Sequence, residues 1–256
     1  MKRWRGFTLI EVSLFLAITG LIFLGIAIGV QNSIFQQRAN DAVQSFAEFL
    51  RKVYSGVNNV QSYNTQSLNS GRTEKAIYGK LVTFGERKNF AGEDNDYAVF
   101  SYNVIGDISD GIGDDTLSSL NQLNASVANE GQLVGLAESF LPKWQSVIQG
   151  QDYTPYVGAL LIVRHPATGN VLTFVMEGET VQVNAATTGG LINSNPLKNY
   201  LNSSKFKIKQ VDYCLNPNGD TDSGRRFDIR VIKNAKNSSG IEVVSQENEG
   251  YACEAS

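Results

Sequence analysis

Apolar side chains are distributed in two different ways along the first quarter of the chain. From Phe7 to Val30, Glu11 is the only charged residue. A helix over this run would extend for roughly 36 Å, enough to cross the hydrocarbon core of a membrane. From there to about Asn59, apolar residues recur every three or four positions. The pattern therefore predicts one helix that is apolar all round in its first half and amphipathic in its second.

Beyond a polar, glycine-bearing segment at 61–73, the pattern changes to β-rich runs separated by turn residues. Leucines at helical spacing predict one or two short helices over 116–144. The expected fold class is α+β, with a long N-terminal helix packed on an antiparallel β-sheet head. The predicted strands are 76–84, 97–105, a hairpin over 156–181 that turns at Pro166–Asn170, and strands within 205–215, 225–234 and 240–247.

Charge is distributed unevenly about the apolar run. Three of the 22 basic residues, Lys2, Arg3 and Arg5, precede the run, and no acidic residue does. The positive-inside rule therefore keeps this end in the cytoplasm and sends the body of the chain across the membrane. The chain that follows Arg5 carries all 25 acidic residues against the other 19 basic ones, so its charge does not favour broad nucleic-acid binding. A cleaved secretory signal is the alternative, with a small-x-small site at 27–29, although the run exceeds the usual apolar region of such signals.

Glu11 is the residue that a signal peptide does not explain. A charged carboxylate at the centre of a membrane helix costs about 2.5–3.5 kcal/mol on insertion scales, and less near the end of the run. If the chain were cut after Gly6, the new amine of Phe7 would be a cation roughly 6 Å from Glu11 along the helix axis. The two groups can pair within one helix. They can also pair between two parallel helices displaced by about that distance, and the pair then sets the register of an assembly.

The stretch RGFTLIEVSLFLAITGLIF resembles the leader and N-terminal helix of type IV pilins and of type II secretion pseudopilins. The shared features are a short basic leader, Gly6 at the cut, Phe7 as the new N-terminus, and Glu11 as the fifth mature residue. The resemblance implies cleavage after Gly6 and N-methylation of Phe7 by a prepilin peptidase, with Glu11 supporting subunit stacking. It covers about the first 30 residues, and this sequence lacks the late helix proline of many major pilins.

For the whole chain, the resemblance implies a leader at 1–6, a membrane and filament-core helix at 7–30, its amphipathic continuation at 31–60 and an exported head at 61–256. We expect a minor pilin, because the head is large for tight repetitive packing. The implied partners are other pilin subunits, the prepilin peptidase, the pilus assembly machinery and the membrane. The implied location is the cytoplasmic membrane before assembly and a cell-surface pilus afterwards.

Two other functions remain open at this point. The first is a pseudopilin of a type II secretion system, which shares the same N-terminal features. The second belongs to another class: a membrane-tethered, exported binding protein or enzyme that never polymerises. The three hypotheses differ in whether Glu11 is needed for incorporation into a filament and in where that filament lies.

Cys214 and Cys253 are the only cysteines, and both lie near the C-terminus. In an exported protein the default expectation is a disulfide. It would close a loop of about 40 residues and contribute roughly 4 kcal/mol in the chain-entropy model. The pilin resemblance implies the same pairing, since pilins often carry a C-terminal disulfide-bounded segment. The spacing is not that of a C-x-x-C redox motif.

The residues that usually carry catalysis are few. His165 is the only histidine, which rules out an H-E-x-x-H zinc site, and it stands beside a predicted turn. GLAES lacks the nucleophile-elbow pattern, and no glycine-rich phosphate loop is present. The sequence therefore predicts a protein that is not an enzyme and that has no organic cofactor.

One acidic segment has the spacing of a calcium loop. Oxygen-bearing side chains alternate at Asn216, Asn218, Asp220 and Asp222. The bidentate glutamate of an EF-hand is missing at its proper offset, so the favoured interpretation is a solvated hairpin loop. Calcium is the only cofactor that the sequence brings into consideration.

A second segment is basic. Alternation places Lys205, Lys207 and Lys209 on one strand face, where Arg226 and Arg230 would extend them into a basic strip if the two strands were neighbours. Such a strip would suit an anionic ligand, such as DNA or surface polysaccharide. The favoured alternative is an edge strand whose lysines prevent aggregation.

Overall fold

The computed structural model confirms the predicted α+β class. Its residues divide into two compact units, the first ending at Asp41 and the second beginning at Ala42. The residues that the structure describes are 8–58, 76–84, 98–107, 124–127, 138–151, 154–165, 168–178, 206–217, 226–244 and 253.

The helix α1 runs from Leu9 to Asn58, close to the predicted bounds. In its first part the large apolar side chains are exposed on every side: Leu9 is 86% exposed and Phe23 is 78% exposed. An 18-residue window of this part has a mean hydropathy of 2.4 and no buried residue. By length and composition, this helix could anchor the protein in a membrane.

From Ala42 onward the same helix is one-sided, as predicted. Phe46, Leu50 and Tyr54 recur at intervals of four and are each 0% exposed, whereas Glu48 stays in contact with solvent. Positions four apart lie on one face of a helix, so these side chains form a single buried stripe. The stripe packs into the hydrophobic core of the head.

The described residues of the head form two antiparallel sheets. The strands of the first sheet are β1 Ala76–Phe84, β2 Val99–Asp107, β3 Asn124–Val127, β4 Glu138–Phe140, β6 Gly158–Arg164 and β7 Val171–Glu177. Those of the second are β5 Val147–Gln149, β8 Val211–Asn216, β9 Phe227–Val231 and β10 Ile241–Val244. In the first sheet the strand order is β3-β2-β1-β6-β7, with β4 also paired to β2; in the second, the order is β10-β9-β8-β5.

An aromatic cluster joins the helix to both sheets. The Phe46 ring of α1 meets Phe84 of β1 and Tyr213 of β8 edge to face, with centroids 6.3 and 5.7 Å apart. Tyr156 meets Tyr213 at 4.8 Å in the same edge-to-face manner. Such pairs add about 0.5–1.5 kcal/mol to the stabilisation from burial alone. The cluster therefore fixes the helix against the head from within the core.

A short polar chain crosses the same core. The Thr173 hydroxyl donates to the Ala235 carbonyl at 2.8 Å, and the Tyr54 hydroxyl lies 2.9 Å from the Thr173 oxygen. Because the Thr173 proton is used toward Ala235, the Tyr54 hydroxyl is the donor in the second bond. These two hydrogen bonds thus connect α1, β7 and the turn after β9.

The sequence prediction of helices within 116–144 was wrong wherever the structure describes this segment. Residues 124–127 and 138–140 are strands that pair with β2, and only Lys143–Gln145 forms one short 3-10 turn. Phe140 packs against Phe46 and Phe49 of α1, so tertiary pairing overrides the local leucine spacing. Pro142 also disfavours helical geometry at the residue before it.

Stability is expected to fall at alkaline pH because of buried phenols. Burial, reinforced by the neighbouring Tyr156 phenol, raises the pKa of Tyr213 well above its usual value. An unfolded tyrosine ionises near pH 10, so above about pH 10 the unfolded state loses protons that the folded state retains, and the free energy of unfolding decreases. Tyr213→Phe keeps the ring and is expected to lose less stability than the wild type between about pH 9 and 11 in urea unfolding. An equal loss in the two proteins would contradict this assignment.

Candidate functional site

The N-terminal turn of α1 gives the Glu11 carboxylate two local partners. The Thr8 backbone N–H and the Thr8 hydroxyl each donate to Glu11 Oε2 at 3.1 Å. In return, the Glu11 backbone N–H donates to the Thr8 hydroxyl oxygen, with 3.4 Å between the nitrogen and Oγ1. This reciprocal arrangement is a capping box, with Thr8 at the N-cap and Glu11 three residues later. The carboxylate also lies at the positive end of the helix dipole, which stabilises it. Sequence reasoning overlooked this contact, although the T-x-x-E spacing is its usual signature.

The two processing residues, Gly6 and Phe7, lie outside the described residues. The pair between the Phe7 amine and Glu11 therefore stays a prediction. Glu11 itself is exposed, and so are the apolar residues that follow it as far as Val30; Thr19 alone in this stretch is partly buried. The arrangement is a helical surface of apolar side chains that carries a single carboxylate in its first turn.

The predicted disulfide is confirmed. Cys214 and Cys253 are bonded, their Cα atoms lie 5.5 Å apart, and both residues are buried. Cys214 lies in the central part of β8, between Gln149 of β5 and Asp228 of β9. The bond therefore ties position 253 to the middle of the second sheet, and the loop that it closes contains both β9 and β10.

Of the four calcium-loop positions, the structure describes only Asn216. It is the last residue of β8 and is 1% exposed. Asn218, Asp220 and Asp222 lie outside the described residues. Within the described part of the chain, no group of three or more His, Cys, Asp or Glu side chains is arranged to hold a metal ion.

The predicted basic strip is not assembled as one surface by the described residues. Lys207 forms an isolated bridge to Val175 of β7 in the first sheet, and the regular strand β8 begins only at Val211 in the second sheet. The segment passes from the first sheet to the second between these points. Lys207 and Lys209 therefore do not belong to one regular strand, on which alternate side chains would share a face. Lys205 lies outside the described residues, and Lys209 is paired with Glu177.

The two arginines of the predicted strip lie on and beside β9, in a different environment from the lysines. Arg226 is buried, and Arg230 lies between two carboxylates, with Nε 2.6 Å from Asp212 Oδ1 and Nη2 3.2 Å from Asp228 Oδ2. The hydrogen bond to Asp212 and the charges of both carboxylates raise the pKa of Arg230. Asp228 is itself 0% exposed, so Arg230 serves to neutralise buried charge.

His165 occupies the turn that the sequence predicted. It is fully buried, its backbone N–H donates to the Asn170 carbonyl at 2.7 Å, and its Nδ1 accepts from the Thr168 N–H at 3.2 Å. The histidine thus closes the β6–β7 hairpin. Next to it, Arg164 donates to the Asn58 carbonyl at the C-terminus of α1, at 2.8 Å. A cation at this negative end of the helix dipole is stabilising.

Comparison of the chain with protein-family models, with curated proteins and with solved structures gives no match in any of the three.

Proposed function

We propose that the protein is a minor pilin, a structural subunit of an extracellular type IV pilus. The observation that carries the proposal is the exposed apolar surface from Leu9 to Val30, with Glu11 as its only charge. An apolar surface of this extent is unfavourable in water and requires an apolar environment. Lipid supplies it before assembly, and the helices of other subunits supply it afterwards.

Assembly in this proposal has two physical components. Burial of the apolar helix surface, worth about 25 cal/mol per Å² relative to water, holds the subunits together once they have left the membrane, without fixing a register. The charge pair between Glu11 and the Phe7 amine of an adjoining subunit provides the register. A carboxylate has about four lone-pair sites, so the contacts with Thr8 leave capacity for an amine.

The proposed steps before assembly rest on the resemblance of residues 5–23 to the leader and N-terminal helix of pilins. The chain enters the cytoplasmic membrane with its N-terminus inside and its head outside, the prepilin peptidase cuts after Gly6 and methylates Phe7, and the assembly machinery extracts the subunit. The proposed role is structural, without a catalytic step.

Shearing of the cell surface tests this proposal. Filaments sheared from cells that express the native chain are expected to contain it, as an immunoblot of the pelleted filaments will show, while a membrane-tethered protein of another kind remains with the cells. Retention of all the protein in the cell pellet, from cells whose sheared fraction contains other pilus subunits, would contradict the proposal. A secretion pseudopilus predicts the same retention, so the experiment separates the pilus from both alternatives.

A further inference from the structure

A cavity of 660 Å³ opens on the head where three segments distant in sequence meet. The first segment connects β5 to β6, the second is the end of β7, and the third leads into β8. The volume lies within the range of about 300–1,000 Å³ that is typical of small-ligand sites. The described lining includes Gln151, Thr154 and Tyr156 of the first segment, Glu177 of the second and residues 209–212 of the third.

Each charged side chain of the described lining has a partner of opposite charge. Lys209 is paired with Glu177, and Asp212 shares Arg230 with the buried Asp228. The Gln210 amide also donates to both oxygens of Asp212 at 3.2 Å. The cavity therefore presents strong donors and acceptors side by side.

Solvent reaches the groups that a ligand would contact. Gln151, Thr154 and Gln210 are exposed, and the Lys209 and Glu177 side chains are 38% and 43% exposed. Below them, Tyr156 and Val211 are buried and form an apolar floor. The cavity thus combines an apolar floor with a polar rim that is accessible to solvent.

We propose that this cavity binds a neutral polyhydroxylated ligand, a saccharide of a surface glycan. Each saccharide hydroxyl both donates and accepts, so adjacent hydroxyls are matched by a carboxylate next to an ammonium or an amide. Hydrogen bonds to such charged groups are stronger than neutral ones. The C–H face of a sugar ring is suited to the apolar floor. This inference goes beyond filament assembly, since none of the described lining residues lies on α1.

The same residues disfavour other ligand classes. A phosphate or sulfate group would approach the carboxylates of Glu177 and Asp212, and a cation would approach the ammonium of Lys209. A peptide anchored by large apolar side chains would require an apolar rim, and here the rim is polar. The neutral saccharide is the class that uses the donors, the acceptors and the floor together.

Glycan binding by the full chain tests this inference. The labelled protein, held in a zwitterionic detergent without a sugar headgroup, is applied to an array of neutral, sialylated and sulfated oligosaccharides and to an array of immobilised peptides. Neutral oligosaccharides are expected to give the strongest signal. Lys209→Met and Gln151→Ala are each expected to weaken binding of the best neutral oligosaccharide about tenfold in titration, because each removes a hydrogen-bonding side chain.

Lys52→Met is the matched control, because Lys52 forms an exposed ion pair with Glu138, at 3.1 Å, away from the cavity lining. This variant is expected to bind like the wild type, and thermal unfolding verifies that all three variants are folded. Absence of binding to neutral oligosaccharides would overturn the inference. So would a preference for sulfated glycans or peptides, or equal affinities of wild type and both cavity variants.

Discussion

Glu11→Gln is expected to remove the protein from surface filaments while leaving its fold unchanged. Glutamine at the third helical position still completes a capping box with Thr8, so the helix terminus is preserved. The substitution removes the negative charge that is proposed to pair with the Phe7 amine of an adjoining subunit. Hydrogen bonds to charged groups contribute about 1.5–3 kcal/mol, so incorporation is expected to fall at least about tenfold. The measurement is an immunoblot of sheared filaments, normalised to the membrane fraction.

Two control variants separate assembly from helix capping. Thr8→Val removes the hydroxyl that contacts Glu11 but retains the carboxylate, and it is expected to keep most of the incorporation. Glu48→Gln neutralises another exposed carboxylate of α1 and is expected to behave like the wild type. Incorporation of Glu11→Gln at the wild-type level would show that the charge has no role in assembly. A loss in Thr8→Val equal to that in Glu11→Gln would assign Glu11 to capping alone.

Removal of the disulfide is expected to produce the largest loss of stability in the head. The bond joins residues separated by 39 positions and constrains a loop that includes β9 and β10. Loss of this constraint in the unfolded chain costs about 4 kcal/mol in the chain-entropy model. The Cys214→Ala/Cys253→Ala variant is therefore expected to unfold in urea with a free energy lower by about that amount. Circular dichroism of the full chain in detergent is a suitable measurement.

A reductant supplies the matched control for this prediction. Reduction is expected to destabilise the wild type by a similar amount and to leave the double variant unchanged. A free energy of unfolding that differs by less than about 0.5 kcal/mol between the variant and the wild type would contradict the prediction. Hydrogen exchange is expected to show the increased opening first in β9 and β10, because these strands lie within the released loop.

The sequence predicted most accurately the elements whose pattern is long or bounded by strong turn signals. The helix Leu9–Asn58 has an extended apolar period, the strand Ala76–Phe84 matches its predicted bounds, and the hairpin around His165 has a Pro and a Gly at its turn. The short strands β3 and β4 could not be predicted, because pairing with β2 and packing on α1 decide their conformation. Short apolar runs carry too little periodic signal to distinguish a helix from a strand.

The candidate sites divide in the same way. Glu11 and its Thr8 partner are three residues apart, so their contact can be predicted from the T-x-x-E spacing. The disulfide was predicted because the chain was expected to be exported and its two cysteines permit a single pairing. The cavity could not be predicted, since its lining comes from segments near 150, 177 and 210 that only the fold brings together. For the same reason, the lysine alternation did not indicate the pairing of Lys209 with Glu177.

The mass of the native polypeptide recovered from sheared filaments tests the proposed pilin role most directly. The recovered chain is expected to begin at Phe7, to lack residues 1–6 and to carry one additional methyl group on its terminal amine. Fragmentation of the N-terminal peptide places the methyl group. A chain that still begins at Met1, or one trimmed beyond Val30, would contradict the proposed role, because the first has no terminal amine within reach of Glu11 and the second lacks Glu11 itself.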